Sequence, residues 1–174
     1  NRGRCRRMRL AVDAMGGDHA PESIIKGCEK ALNTYEDLEI ILIGNEDIIK
    51  EYTKPTDRIK VVHTEVTIDG DDSPVRAVRR KKDSSMVLAV QEVRIGKADA
   101  ALSAGNTGAL MTAGLLGVGR IKGIERPALA PMLPTLDGNG FLLLDVGANM
   151  DAKASQLYQY ALMGNIYMKK VRNI

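Results

Sequence analysis

Short apolar runs alternate along this chain with longer segments that repeat with helical period. The runs predict β-strands at residues 9–13, 38–43, 59–63 and 99–103. The amphipathic segments between them predict helices at about residues 21–33, 46–52, 74–82, 86–95 and 109–120. This alternation is typical of a doubly wound three-layer α/β/α fold whose sheet is mostly parallel.

The last third of the chain departs from this alternation. Two apolar runs, at residues 128–133 and 141–146, flank the turn-forming segment 137–140 (DGNG), which predicts an antiparallel hairpin. A final helix is predicted from about residue 154 to residue 171. No Ser/Gly-rich linker divides the chain, so we expect the hairpin to be an insertion in one α/β fold.

Composition adds the character of the core. Hydrophobic residues make up 44% of the chain but aromatic residues only 3%, so the core must be aliphatic, which suits a sheet covered by helices on both faces. Four arginines lie in residues 1–7, and without them the net charge of +3 becomes −1. We interpret residues 1–7 as a tail outside the fold and residues 8–174 as the folded part. A nucleic-acid partner is therefore not expected.

Cysteine content and hydropathy indicate the compartment. Of the two cysteines, Cys5 lies in the tail and Cys28 lies on an apolar helical stripe, which favours core packing over chemistry. The cysteine and histidine spacing does not suit a metal site. No apolar run reaches the ~18 residues of a membrane span, and no signal peptide follows Met8. These features predict a protein of the reducing cytoplasm.

Candidate chemistry lies where the predicted strands end, since ligands of such sheets bind beyond the carboxyl ends of the strands. The first strand is followed by a glycine pair between ionisable side chains: Asp13, Gly16, Gly17, Asp18 and His19. Glycines let a backbone approach a ligand closely. The spacing is not that of a dinucleotide-binding loop, so a nicotinamide dehydrogenase is a weak interpretation.

Two further strand ends carry similar groups. The strand at 99–103 leads into a helix through Gly105, Asn106, Thr107 and Gly108. Free backbone N–H groups there would bind an anion such as phosphate, although a simple Asn/Thr helix cap is the alternative. The strand at 141–146 ends in Asp145, with Asn149 close behind it, and this acid would either cap the next helix or face a ligand.

The basic stretch 76–82 is a separate candidate. A run of charge on a helix is most often a solvated face, but Asp83, Ser84 and Ser85 follow directly after Lys82. A lysine beside two hydroxyl groups would suit an anionic substrate. We therefore include Lys82, Ser84 and Ser85 among the predicted substrate-binding residues, and interpret His63 as structural.

Four segments together resemble a known family. AVDAMGGDHAP (11–21), SPVRAVRRKKDSSMVLAVQEV (73–93), SAGNTGALMTAGLLGVGRIKGIERPALAP (103–131) and FLLLDVGANMDAK (141–153) resemble the phosphate acyltransferases of bacterial phospholipid synthesis, the PlsX family. Ala154 departs from the proline expected at that position. Because family members run to roughly twice this length, residues 8–174 would be the N-terminal part of the family's fold.

The resemblance carries specific expectations. It implies a fold like phosphotransacetylase and the isocitrate and isopropylmalate dehydrogenases. It implies transfer of a fatty acyl group from acyl-[acyl carrier protein] to inorganic phosphate, giving acyl phosphate for phosphatidic acid synthesis. It also implies a homodimer, a peripheral membrane association and a possible glycerol-3-phosphate acyltransferase partner. On the same resemblance, no metal or nucleotide cofactor is expected.

Roles for the candidate residues follow as hypotheses from this chemistry. The loop 105–108 would hold phosphate, and backbone amides with Asn106 or Thr107 would stabilise the oxyanion that forms on the thioester carbonyl. His19 or a lysine would protonate the departing thiolate. Two alternatives stay open: a CoA-dependent phosphotransacylase on the same fold, and a non-catalytic fragment that binds a partner or a membrane.

Overall fold

The computed structural model describes residues 7–149 and 151–173. The predicted tail therefore lies outside the described residues except for Arg7, whose guanidinium pairs with Glu39 at 3.1 Å. The chain divides into two compact units, Asn1–Gly119 and Arg120–Ile174.

A four-stranded parallel sheet forms the centre of the first unit. Its strands are Met8–Asp13 (β1), Leu38–Gly44 (β2), Ile59–His63 (β3) and Ala100–Leu102 (β4). They lie in the order β3-β2-β1-β4, with Leu10 of β1 opposite both Ile40 and Ala100. The carboxyl ends of all four strands consequently meet at one edge, as the alternation of strands and helices predicted.

Five helices connect and cover these strands: Glu22–Thr34 (α1), Glu46–Tyr52 (α2), Pro74–Arg80 (α3), Ser85–Arg94 (α4) and Thr107–Gly117 (α5). The predicted helix signals explain several of their ends. The side chain of Asn45 accepts hydrogen bonds from the amides of Asp47 and Ile48 and so caps α2. Gly96, just past α4, has φ of +73°, the left-handed conformation that commonly ends a helix.

Alternation along the strands divides the core into layers. On β1, Val12 packs with α1 and α2 on one face of the sheet, whereas Ala11 packs with α4 on the other. Helices α3 and α5 add to the second layer by packing against α4 through Val78, Val90 and Ala113. The predicted three-layer arrangement is confirmed. Cys28 is buried in the first layer, and the ring Nδ1 of His63 accepts the amide of Glu46, so both structural interpretations are confirmed.

The second unit contains the predicted antiparallel hairpin as a separate two-stranded sheet, Met132–Leu133 (β5) with Phe141–Leu142 (β6). The predicted strands at 128–133 and 141–146 were too long. Pro131 has no N–H to donate, so among the described residues on the N-terminal side of Met132 only the amides of the segment after β6 donate backbone hydrogen bonds across the hairpin. The amide of Leu143 donates to Pro131 at 3.0 Å and that of Asp145 to Leu129 at 2.7 Å.

The second unit ends in helix Ala154–Tyr167 (α6), which continues as a π-helical turn, Met168–Arg172. Among the described residues, no helix combines the length and apolar character needed to cross a bilayer.

Candidate functional site

A buried carboxylate joins two of the loops that the sequence predicted as functional. Asp13, only 1% exposed, accepts a 2.7 Å hydrogen bond from the Ser103 hydroxyl through Oδ2 and a 3.2 Å bond from the Met15 amide through Oδ1. The hydroxyl of Ser103 in turn accepts the amide of Gly105 at 3.1 Å. Asp13 therefore positions both loops from beneath them, a role different from the substrate contact predicted for it. Ser103 was not among the predicted residues, although its place at a strand end before a glycine loop is the same signal.

Glycines allow these two loops to approach each other closely. A Cβ built on Gly16 would lie 2.4 Å from Asp13 Oδ2 and 2.9 Å from Ser103 Oγ. Gly105 faces the Cα of Gly16 across the contact, where a Cβ would lie at only 3.3 Å. Gly17 adopts φ of +116°, which side chains rarely allow. The predicted glycines thus serve a backbone-to-backbone contact beside the site.

Asn106 links α5 to a third loop, residues 69–72. Its Oδ1 caps α5 by accepting the amide of Ala109 at 2.9 Å, as the cap alternative predicted. Its Nδ2 faces the carbonyls of Asp69, Gly70 and Asp72 at 3.3, 3.1 and 3.0 Å. Both ends of the amide are engaged, so the side chain shapes the site. An oxyanion contact from this side chain would require one of these bonds to break.

The three loops line an open polar cavity of about 600 Å³, bordered by Met15, Gly17, Asp18, and residues 68–70 and 104–108. Thr107 is exposed, and the amides of Thr107 and Gly108 donate to no acceptor among the described residues. The first turn of an α-helix offers such amides together with the positive end of the helix dipole. The cavity can therefore bind an anion at α5, while Asp18 and Asp69 provide hydrogen-bond acceptors opposite.

Lys81, and not the predicted Lys82, is the lysine held beside this cavity. Its Nζ lies 2.6 Å from Asp72 and 3.8 Å from Asp69, and the hydrogen bond to Asp72 raises the pKa of Lys81. Neither lysine lines the cavity itself, but Lys81 is held against Asp69 of the lining, whereas Lys82 is exposed. Periodicity could not separate the two lysines, because the choice depends on where the end of α3 meets the loop 69–72.

Ser84 and Ser85 are buried at the start of α4, with exposures of 0% and 1%. The Ser85 amide donates to Val66, and the Ser84 hydroxyl has no hydrogen-bond partner among the described residues. Neither lines the cavity, and neither does His19, which is exposed one residue beyond Asp18. The structure thus brings the loops at 13–18 and 104–108 together and leaves these three residues outside their cavity.

Asp145 and Asn149 form a second polar cluster, within the second unit. Asn149 donates to Asp145 at 2.9 Å and accepts from the Arg126 guanidinium at 3.1 Å. Asp145 adopts φ of +62° at the end of the hairpin. Burial raises the pKa of the Tyr160 hydroxyl, and the charge of Asp145 raises it further. Asp145 and Asn149 are therefore in contact with each other, and Arg126 is an addition that the sequence did not indicate.

A family model described as "Fatty acid synthesis protein" matches residues 8–174, nearly the whole chain. The chain belongs to this family. The match also begins where the predicted folded part begins.

Curated relatives specify the family further. The chain is 59% identical over 167 residues to phosphate acyltransferases of Bacillus cytotoxicus and Bacillus thuringiensis (strain Al Hakam), covering 96% of this chain and 51% of each relative. The resemblance noted from the sequence motifs is thereby confirmed. The chain spans about half the length of these relatives.

A solved structure supports the fold. A branched-chain phosphotransacylase from Enterococcus faecalis V583 superposes with a TM-score of 0.61 at 18% identity, covering 94% of this chain and 52% of that protein. The predicted similarity to a phosphotransacylase fold is confirmed. The likeness to isocitrate and isopropylmalate dehydrogenases stays a prediction.

Proposed function

We propose that this chain provides the phosphate-binding part of an enzyme that transfers a fatty acyl group from an acyl-[acyl carrier protein] thioester to inorganic phosphate. The polar cavity at the N-terminus of α5 carries the proposal. It lies at the carboxyl edge of a parallel sheet, between loops that the hydrogen bond from the half-buried Ser103 to the buried Asp13 holds together. Membership of a family whose curated relatives are phosphate acyltransferases supports acyl transfer to phosphate.

Phosphate would bind at the first turn of α5. Thr107 and Gly108 both line the cavity and supply two backbone amides and one hydroxyl group as donors, and a helix N-terminus favours an anion. Asp18 and Asp69 accept hydrogen bonds only, so they suit the protonated oxygens of phosphate and select its orientation. Lys81, held charged by Asp72, offsets part of their negative charge.

The reaction needs positioning more than it needs a strong base. Phosphate is already a nucleophile, and its oxygen attacks the thioester carbonyl carbon as the carbon–sulfur bond breaks. Negative charge develops on the carbonyl oxygen, and backbone amides of the loop 104–108 would stabilise it. Since Asn106 is fully engaged, Thr107 is the better candidate for a side-chain contact. The exposed imidazole of His19 would protonate the leaving thiolate.

The proposed product, an acyl phosphate, would give the enzyme a role in lipid synthesis. Acyl phosphate is an activated acyl donor, and a glycerol-3-phosphate acyltransferase would consume it on the way to phosphatidic acid. Assembly as a homodimer in the cytoplasm, with peripheral attachment to a membrane, belongs to the same proposal. Within the second unit, the cluster of Asp145, Asn149 and Arg126 is a separate candidate for a substrate contact.

The test is phosphate-dependent release of free carrier thiol from a long-chain acyl carrier protein by the 174-residue chain. Thr107→Val removes the hydroxyl with little change in shape, and we expect KM for phosphate to rise about tenfold. Thr34→Val, at the exposed end of α1, is the matched control and should leave turnover unchanged. A full-length relative serves as the positive control.

Four outcomes decide between these interpretations. Release by the chain places the whole reaction in these loops. Release by the relative alone, together with phosphate binding to the chain that weakens in Thr107→Val, leaves the chain as the phosphate-binding part. A chain that neither releases thiol nor binds phosphate refutes the proposal, and turnover of acyl-CoA without turnover of the carrier thioester replaces it by a CoA-dependent reaction.

A further inference from the structure

Helix α3 exposes a face made of arginines. Arg76, Arg79 and Arg80 are spaced i, i+3 and i+4, so they lie on one side of the helix, and all three are exposed. Lys82 follows, also exposed. Among the described residues none of these four cations forms an ion pair within 4.0 Å, whereas Lys81 turns inward to Asp72. Like charges three and four residues apart destabilise a helix, so the stability of α3 does not explain the three arginines, whereas binding to another molecule would.

The arginine face lies next to the proposed phosphate cavity. At the start of α3, Pro74 packs against Gly108, since a Cβ on Gly108 would lie 2.8 Å from the proline ring. At its end, Lys81 binds Asp72, whose carbonyl accepts from Asn106. Both ends of α3 are thus anchored to the residues that shape the cavity. A macromolecule bound to this helix would be held beside the cavity mouth.

We propose that the arginine face of α3 is the docking surface for the protein that carries the acyl thioester, and that it binds an acidic surface of that carrier. This inference rests on the proposed function, which requires a carrier to deliver its thioester to the cavity. Three arginines in one row complement carboxylates on a partner helix, and Arg forms bidentate bonds to carboxylates. Such charge pairing increases the rate of association and makes it depend on salt.

An acidic protein fits this face better than a lipid surface does. Interfacial helices insert large apolar side chains on the side opposite their cations. On α3 the large exposed apolar side chain is Val75 alone, at 50% exposure, while Ala77 and Val78 are buried against α4 and α5. The helix therefore offers charge and no apolar face to insert.

The experiment measures binding of an acyl carrier protein to the 174-residue chain at about 50 mM and about 200 mM salt. The variant R76Q/R79Q/R80Q removes three charges from the arginine face. The control K30Q/R94Q/K97Q removes three exposed cations from α1 and from the end of α4, which keeps the net charge equal. We expect about tenfold weaker binding at low salt for the first variant, with a shallower salt dependence, and none of this for the control.

A second donor separates this proposal from the proposed function. Turnover of a small acyl-pantetheine thioester should be equal in the wild type and the arginine variant, because that donor does not need the docking surface. Carrier binding that depends on the arginines, without any phosphate-dependent turnover, would retain the docking surface and reject the catalytic proposal. Equal carrier binding by the two triple variants overturns the docking surface. The proposal is also overturned if the variant R76Q/R79Q/R80Q binds the carrier normally but no longer binds anionic phospholipid vesicles. That result would make the arginine face a membrane contact.

Discussion

The contact between the two glycine loops can be tested by adding one methyl group. In Gly16→Ala the new Cβ would lie 2.4 Å from Asp13 Oδ2 and 2.9 Å from Ser103 Oγ, distances that require atoms to move. Asp13 is 1% exposed and short, so its carboxylate cannot turn out to solvent. The substitution must separate the loops or break the bond between Asp13 and Ser103.

The cost can be estimated from those two consequences. A hydrogen bond to a charged group contributes about 1.5–3 kcal/mol, and an overpacked methyl group costs about 1–3 kcal/mol. The two costs are not additive, because breaking the hydrogen bond relieves part of the overpacking. Alanine also offsets about 0.4–1 kcal/mol of the lost stability, since it restricts the unfolded chain more than glycine does. We expect a net loss of about 2–4 kcal/mol, which lowers Tm by about 6–12 °C for a chain of this size.

The assay is thermal and guanidinium denaturation followed by circular dichroism. Gly27→Ala is the matched control, because Gly27 lies in α1 with no atom within 4 Å of its Cβ position. That change should stabilise the protein by about 0.5–1 kcal/mol. If Gly16→Ala and Gly27→Ala shift the transition alike, the loop at 13–18 and the loop at 104–108 are not in close contact at Gly16, and the proposed packing around Asp13 is refuted.

Three further predictions concern single groups. Burial raises the pKa of the Cys28 thiol to about 11. In a Cys5→Ser background, iodoacetamide should therefore label Cys28 at about pH 8 only after the protein is unfolded. Rapid labelling of the native protein would contradict the burial of Cys28. The hydrogen bond from Lys81 holds the pKa of Asp72 below its usual 3.8, so this carboxylate stabilises the fold above that pH and the contribution is lost as pH falls through the lower, folded value. The gap in denaturation midpoint between wild type and Asp72→Asn should therefore be constant from about pH 5 to 8 and close towards about pH 2; a constant gap throughout would exclude the ion pair as its cause. Asn106→Asp keeps the acceptor for the Ala109 amide but loses the donor to the loop 69–72, so amide hydrogen exchange should become faster in that loop and stay slow in α5. Asn106→Ala loses both groups, so exchange should become faster in both segments. Equal exchange in the two variants would show that the amide of Asn106 does not hold the loop.

Periodicity predicted most of the first unit because each of its elements buries one face. The spacing of apolar residues along the chain shows which face of an element is buried. It does so in the runs around Val12 and Ile41 and in the helical stripe through Cys28. The hairpin strands were overestimated because hydropathy does not register that Pro131 lacks a donor. For the site, strand ends and glycines indicated the loops at 13–18 and 104–108, and these are the loops that line the cavity.

Local sequence thus specified the parallel strand–helix order, the helix caps and the family, since all of these depend on neighbours a few residues apart or on matching motifs. Tertiary structure decided which polar groups meet. Ser103 reaches Asp13 across 90 positions of the chain, and Lys81 rather than Lys82 faces Asp72 because of the rotation of α3 against its neighbours. Such pairings depend on how strands are ordered in the sheet and how helices are rotated on it. A distance of 2.7 Å between two side chains is a property of that packing and not of either local sequence.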